Sequence, residues 1–170
     1  MVCIGKNNLE KMFPDFKEDI QQQGIDLRIG KIYGRVIDSN KVYGSVNNEK
    51  KLPELVQLPV TKEGTYKLKP NSSYIVEIDR QISIPAGVYQ HYKPRSTLIR
   101  CDVDLKTAIG DAGFTGTLQF GLTTGELPVT FGRNERIAQA ITETTDGSEE
   151  LYNGFYQEQK EQKKLDDYNE

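Results

Sequence analysis

Residues 25–37 read IDLRIGKIYGRVI, and this stretch decides the fold class. Ile25, Leu27 and Ile29 alternate with charged residues, so on an extended chain they lie on one face. Further short apolar runs follow up to residue 143, separated by Pro and Gly clusters and with almost no helical periodicity. They are VQLPV, TYKL, SYIVEID, ISIP, VYQHY, TLIRCDV, GTLQFGL and RIAQAITE. Many short strands at close spacing predict an all-β fold, a sandwich, jelly roll or distorted barrel built mainly from antiparallel pairs.

The two ends of the chain differ from this pattern. Near the start, Asn7 and Asn8 can cap a short helix through LEKMF, which ends before Pro14 because the residue preceding a proline avoids the helical region. After about residue 145 the sequence is polar, charged and poor in aliphatic residues, so it cannot offset its own ordering entropy. We therefore predict one β domain over residues 1–144 and a flexible C-terminal tail over 145–170, which orders on a ligand or a neighbouring subunit, or not at all.

The charge balance and the cysteine content exclude several classes of protein. The 22 Lys and Arg residues against 25 Asp and Glu residues give a net charge of −3, which argues against broad binding to nucleic acid. No apolar run approaches the roughly 20 residues that span a bilayer, so we expect no membrane partner. Cys3 and Cys101 match neither a metal-ligand spacing nor a disulfide framework, and His91 is the sole histidine. The sequence predicts a soluble cytoplasmic protein with free thiols and no zinc site.

A small basic cluster precedes a glycine-rich turn in this acidic protein. Residues 93–100 read KPRSTLIR, and residues 111–116 read DAGFTG. The first segment combines two guanidinium groups, which suit phosphate oxygens, with two hydroxyls that add donors beside them. Taken alone, these side chains are equally consistent with the exposed end of a strand. The donors are Arg95, Ser96, Thr97 and Arg100, and together they form a compact candidate anion site just ahead of Asp111.

These segments resemble the motifs of the dUTPase and dCTP deaminase superfamily, and they occur in the order found there. The matching segments are QQGIDLRIG (22–30), YKLKPNSSYIVEIDRQISIP (66–85), PRSTLIR (94–100), DAGFTGTL (111–118), GRNERIAQ (132–139) and FYQEQK (155–160). The resemblance implies a distorted β jelly-roll or β-clip barrel with a short N-terminal helix. It also implies assembly as a homotrimer in which each active site is built from more than one chain.

The resemblance also separates the two activities of the superfamily. Its deaminases carry a Glu ten residues after the Asp of the turn, and the corresponding residue here is Gly121, which cannot carry a proton. Gln119 lacks an ionisable group, and Glu126 lies where the chain should already be turning, so neither replaces that acid. LQFGL at 118–122 resembles dUTPases more than the Leu-Glu-Phe of deaminases.

A dUTP diphosphatase is therefore the implied activity, with dUTP as substrate and dUMP and pyrophosphate as products. Asp111 is implied to activate a water molecule for attack on the α-phosphorus. Mg²⁺ is implied as a cofactor held by the triphosphate and by water, with no ligand from the protein. Two alternatives remain open at this stage: a dCTP deaminase or bifunctional deaminase and diphosphatase, and a non-catalytic nucleotide-sensing protein of the same fold.

The resemblance assigns binding roles to further residues. The basic cluster is implied to neutralise the triphosphate, and the backbone between Leu105 and Gly116 is implied to pair with the uracil edge. Phe114 is implied to pack on the deoxyribose. Gln139 is implied to support the phosphate site, Asp26 to hold the arginine-bearing strand, and Arg136 could equally be a surface charge. The remaining implied contacts are Thr107, Ala108 and Gly110 beside the base, and Tyr156 and Gln159 over the phosphates, with Lys160, Lys163 or Lys164 as added cations.

Overall fold

The computed structural model describes residues 1–158 and 165–168. Its α-helices are α1 (Lys6–Met12) and α2 (Ser96–Arg100), and its two 3₁₀ turns span Pro14–Asp19 and Leu165–Tyr168. In these ranges no helix combines the length and the apolar character needed to cross a membrane. The strands are β1 (Ile25–Arg35), β2 (Gly44–Val46), β3 (Glu49–Lys51), β4 (Leu55–Gln57), β5 (Thr65–Leu68), β6 (Ser73–Ser83), β7 (Val88–Pro94), β8 (Val103–Lys106), β9 (Thr115–Thr124), β10 (Val129–Gly132) and β11 (Arg136–Thr144).

The main sheet is antiparallel and almost closes on itself. Its strands run in the order β7, β11, β1, β6, β9 and β8, and β4 pairs with β1 beside this path. The two end strands, β7 and β8, contact each other, and the backbone of Gln90 pairs with that of Gly110 just beyond β8. The predicted all-β, barrel-like fold is confirmed.

Strand β1 organises the core because it belongs to both halves of the sheet. Its first residues pair with β11 and its later residues with β6, with register shifts after Leu27 and after Ile29. Such irregularities bend a strand, and here they turn β1 from one half of the sheet to the other. Gly30 lies at the bend, where an added Cβ would stand 2.7 Å from the Cα of Asp79. The alternating residues Ile25, Leu27 and Ile29 are all fully buried, as the sequence pattern predicts.

The N-terminal helix starts earlier than predicted. It begins at Lys6 with Gly5 as the N-cap and no capping side chain, so the prediction of Asn7 and Asn8 as caps is wrong. The predicted end before Pro14 is confirmed. The helix places Leu9 and Met12 in the core, and their packing sets its position where a capping side chain does not.

The prediction of a strand through TLIRCDV is also wrong at its start. Residues 96–100 form α2, Asp102 adopts a positive φ of 54°, and β8 follows at Val103. On a strand, Leu98 and Arg100 would point to the same face, so burying the leucine would bury the arginine. One helical turn buries Leu98 and leaves Arg100 exposed.

Candidate active site

A cavity of about 560 Å³ lies against the outward-facing residues of β6 and β9. The segment between β8 and β9 forms one wall, and the C-terminal residues 152–158 contribute another. The structure brings five of the predicted site residues together around this cavity. They are Ala108, Gly110, Asp111, Phe114 and Tyr156.

The turn that carries Asp111 is fixed by backbone hydrogen bonds at both ends. Gly110 donates to and accepts from Gln90, each at 2.8 Å. Gly113 donates to the carbonyl oxygen of Ile84 at 2.9 Å, and Ile84 donates to that of Phe114 at 2.8 Å. A side chain at position 110 would overlap the Tyr92 hydroxyl, so this approach requires glycine. The backbone on both sides of Asp111 is thus held while its side chain stays exposed.

Tyr92 supports the turn from behind. Its hydroxyl donates to Oε1 of Gln90 at 3.2 Å, and Nε2 of Gln90 donates to Oγ1 of Thr142 at 3.0 Å. Burial raises the pKa of the Tyr92 phenol far above its ordinary value, and the negative charge of Asp111 raises this pKa further. The phenol therefore stays protonated at neutral pH and acts as a hydrogen-bond donor in the support of the turn.

The tail of the same chain lies along this turn. Tyr152 donates its backbone N–H to the carbonyl oxygen of Ala112, and Glu158 donates to that of Thr115, both at 2.9 Å. The side-chain oxygen of Gln157 accepts from Thr115 N–H at 3.0 Å, and its Nε2 donates to the carbonyl oxygen of Gly113 at 2.9 Å. Gln157 therefore holds two backbone groups just after Asp111.

Two aromatic contacts complete the tail. The ring of Tyr152 meets the edge of Phe114 at a centroid distance of 5.6 Å. Lys50 Nζ lies 4.8 Å from the ring centroid of Tyr156 and 4.5 Å from that of Phe155, within the range of cation–π attraction.

The predicted contacts Gln159, Lys160, Lys163 and Lys164 lie outside the described residues. Sequence reasoning missed Gln157 and Tyr152, although Gln157 directly follows Tyr156 in FYQEQK.

We expect Gln157→Ala to loosen the turn, because both backbone groups lose their side-chain partner. Losing these hydrogen bonds should lower turnover about tenfold and speed hydrogen exchange at the Thr115 amide. Steady-state kinetics measure the turnover, and mass spectrometry measures the hydrogen exchange. Asn153→Ala, an exposed change in the same segment, serves as the matched control. Unchanged exchange at Thr115 in Gln157→Ala would contradict the proposed support.

A buried carboxylate organises the arginine motifs elsewhere in the chain. Oδ2 of Asp26 accepts from Arg95 Nη1 at 2.9 Å and from Arg136 Nη1 at 3.0 Å, and its Oδ1 accepts from Gln139 Nε2 at 3.4 Å. The Asp26 side chain is only 3% exposed. Its predicted role in holding the arginine-bearing segment is confirmed. Arg136 also contacts Asp26, so its side chain has a structural role and is more than a surface charge.

The remaining residues of the basic cluster face solvent on α2. Ser96, Thr97 and Arg100 are exposed, and Arg100 donates to the backbone oxygen of Ser96 at 3.2 Å. Neither these residues nor Arg95 lines the cavity beside Asp111. Thr107 lies outside the cavity lining as well, with its hydroxyl 3.5 Å from the carbonyl oxygen of Tyr92.

The charged side chains that line the described part of the cavity are all acidic. Among the residues that the structure describes, its lining includes the carboxylates of Asp111, Glu77 and Glu158, and neither lysine nor arginine. A triphosphate placed there would meet only negative charge from these side chains. Within one chain, Asp111 therefore lines the cavity, whereas the cations of the basic cluster lie outside it.

The carboxylates that line the cavity belong to Asp111, Glu77 and Glu158, and their oxygen atoms suit a hard cation such as Mg²⁺. In residues 1–158 and 165–168, no group of three or more His, Cys, Asp or Glu side chains converges in the manner of a metal cage. Mg²⁺ commonly keeps several waters and relies on substrate phosphates together with one or two carboxylates. The residues present fit an ion that arrives with a nucleotide.

Comparison with known proteins places the chain in context. Residues 5–145 match the family described as dCTP deaminase-like. A probable deoxyuridine 5'-triphosphate nucleotidohydrolase of Methanothermobacter thermautotrophicus is 44% identical over 160 residues, covering 92% of this chain and 100% of that protein. A protein of the same description from Methanopyrus kandleri is 31% identical over 147 residues, covering 82% of this chain and 90% of that protein.

A solved structure shows the same fold. The 2'-deoxycytidine 5'-triphosphate deaminase of Agrobacterium tumefaciens superimposes with a TM-score of 0.65 at 19% identity. The match covers 84% of this chain and 48% of that one, so the chain spans about half the length of the solved protein. At this level of identity the likeness concerns the fold.

Proposed function

We propose that this chain, which belongs to the dCTP deaminase-like family, is a dUTP diphosphatase that hydrolyses dUTP to dUMP and pyrophosphate. The names of the two relatives support the choice of dUTP as substrate. The relative from Methanothermobacter thermautotrophicus aligns over its whole length, which makes it a suitable guide for the complete site.

The observation that carries the proposal is the composition of the cavity beside β9. Asp111 and Phe114 line it at one side, and Gly121 lines it on the strand. A carboxylate is thus available to activate water, while the strand position that holds the Glu in the superfamily's deaminases lacks a side chain. A Cβ at position 121 would stand 3.2 Å from the Cβ of Lys106, so the neighbouring strand lies close over this position.

In the proposed mechanism Asp111 acts as the general base. Its carboxylate accepts a proton from a water molecule, whose oxygen forms a bond to the α-phosphorus as the bond to the leaving pyrophosphate breaks. Such a transfer depends mainly on positioning and charge neutralisation. The backbone that is held on both sides of Asp111 supports the positioning of the base.

The need to neutralise the charge of the triphosphate points to a shared site in a homotrimer. The described lining of the cavity offers the triphosphate three carboxylates and no cation. Arg100, Ser96 and Thr97 are exposed on α2, where a second copy of the chain can reach them. We infer that each site combines the Asp111 cavity of one chain with the basic cluster of another, and that Tyr156 closes over the phosphates.

Mg²⁺ fits this site as an ion that would be bound by the triphosphate and by water. When bound, it would neutralise charge on the phosphate oxygens. The chain's own residues then orient the water, accept its proton and hold the base.

The experiment that tests the function uses purified full-length protein with dUTP or dCTP, with and without a chelator. We expect dUMP and pyrophosphate from dUTP in the presence of Mg²⁺, and loss of the activity with EDTA that added Mg²⁺ restores. Chromatography resolves the nucleotides, and a coupled assay detects pyrophosphate. Ammonia released from dCTP would instead indicate a deaminase, and tight dUTP binding without product would indicate a nucleotide sensor.

A further inference from the structure

The hairpin of β2 and β3 reaches the tail of the same chain beside the cavity. Asn47 and Asn48 form its two-residue turn with φ values of 50° and 66°, the pair of positive φ angles that a type I′ turn requires. All six residues of the two strands are exposed, so the hairpin has little packing of its own. A two-stranded hairpin is marginally stable by itself. Lys50 on β3 gives this hairpin a contact with the tail.

Phe155 and Tyr156 form a corner around the ammonium group of Lys50. Their ring centroids are 4.9 Å apart, and the ring planes meet at 83°. Lys50 Nζ lies 4.5 Å from the centroid of Phe155 and 4.8 Å from that of Tyr156, so both rings attract the same cation. Both aromatic residues are more than half exposed, at 69% and 55%, so burial in the core does not hold them.

This contact bears on the wall of the cavity. The tail is tied to the turn that carries Asp111 on both sides of the two rings, through the backbone N–H groups of Tyr152 and Glu158. The N–H of Tyr156 donates to the Tyr152 hydroxyl at 3.3 Å. Tyr156 lines the cavity together with Asp111. The backbone of this wall is therefore held by the turn, whereas its exposed ring is held by Lys50.

We propose that Lys50 is a positioning residue for nucleotide binding, which keeps Tyr156 over the cavity by its attraction to the two aromatic rings. This inference rests on the proposed function, since it assigns a hairpin residue to the closure of the same site. Without the cation, Tyr156 is in place in a smaller fraction of the chains. The apparent affinity for a nucleotide falls in proportion to that fraction.

The first test measures dUTP hydrolysis and the binding of a hydrolysis-resistant α,β-imido analogue of dUTP by full-length protein. Lys50→Met keeps an unbranched apolar side chain but removes the charge. It should raise KM for dUTP and Kd for the analogue about two- to fivefold, as expected for an exposed cation–π contact. The kcat should stay nearly unchanged, because the chemical step occurs after Tyr156 has closed over the nucleotide.

Two matched variants accompany this measurement. Lys50→Arg keeps a cation over the rings and should restore the parental KM and Kd. Lys51→Met causes the same change in net charge on the same exposed strand, and neighbouring side chains on a strand point to opposite faces. The Lys51 variant should therefore keep the parental KM and Kd.

A tryptophan reporter tests the contact in the absence of nucleotide. The chain contains no tryptophan, so Phe155→Trp provides a single indole fluorophore that keeps an aromatic face for Lys50. Adding Lys50→Met to this variant should raise the acrylamide quenching constant of the tryptophan, because its ring loses the side chain that lies over it. Adding Lys51→Met should leave the quenching constant unchanged.

The two measurements separate this inference from the proposed function. If the parental protein hydrolyses dUTP while Lys50→Met keeps the parental KM and Kd, the inference is overturned and the function stands. An unchanged quenching constant in the Lys50→Met reporter would overturn it as well. If the parental protein binds the analogue but does not hydrolyse dUTP, the function fails, while Kd and the quenching constants still report on Lys50.

Discussion

Replacing Asp111 with Asn should lower the rate of dUTP hydrolysis about 10²–10⁴-fold, because an amide cannot accept the proton of the attacking water. The substitution keeps the size of the side chain, and the backbone hydrogen bonds of Gly110 and Gly113 hold the turn without the carboxylate. We therefore expect the affinity for a hydrolysis-resistant α,β-imido analogue of dUTP to change little. Single-turnover kinetics measure the chemical step, and calorimetry measures binding.

Asp104→Asn provides the matched control for this prediction. Asp104 is an exposed acid on β8, and it does not line the cavity beside Asp111. The control should turn over dUTP at the parental rate and should have the same change in net charge. If Asp111→Asn hydrolysed dUTP as fast as Asp104→Asn, Asp111 would not be the general base.

The second large effect concerns the shared site. Arg100→Ala removes a cation from the exposed side of α2 and should lower activity about 10²-fold, because the triphosphate loses a charge-assisted partner. Asp111→Asn and Arg100→Ala should each be nearly inactive as homotrimers. In mixed trimers, some sites combine the intact acid of one chain with the intact arginine of another. Random assembly should restore about a quarter of the parental activity in the unselected mixture, and about a third in trimers that contain both variants.

The measurement uses the two variants co-expressed with different affinity tags and purified over both columns. The control is a homotrimer in which every chain carries both substitutions. It should stay inactive, because none of its sites has an intact acid or an intact arginine. Recovered activity in the mixed trimers supports a site shared between chains. Absence of recovery in trimers shown to contain both tags would mean that Asp111 and Arg100 serve the same chain's site.

Local patterns in the sequence predicted those features that depend on neighbouring residues. The alternation of Ile25, Leu27 and Ile29 predicts a strand because it needs only one buried face, and all three are buried. The same reasoning failed at TLIRCDV, because an apolar run this short is also compatible with one helical turn. Burial of Leu98 with exposure of Arg100 decided between the two, and burial is a property of the whole fold.

The candidate site divides in the same way. The sequence identified Asp111 and the residues of the basic cluster, because each motif is a short continuous segment. It also identified Asp26 as a structural acid, although its partners Arg95 and Arg136 lie 69 and 110 residues away. Gln157 escaped notice because its partners, Gly113 and Thr115, lie more than 40 residues earlier, and no local pattern signals such a contact.

By itself, the sequence determined that this is a β protein with a carboxylate in a glycine-rich turn, a nearby pair of arginines and no acid at position 121. These features depend on side-chain chemistry and on strand periodicity, both of which are local. Only the tertiary structure decided that the Asp111 cavity and the basic cluster lie apart in one chain, and that Gln157 holds the backbone after Asp111. Those relations depend on which strands pair and in which register, and the packing of the whole core sets both.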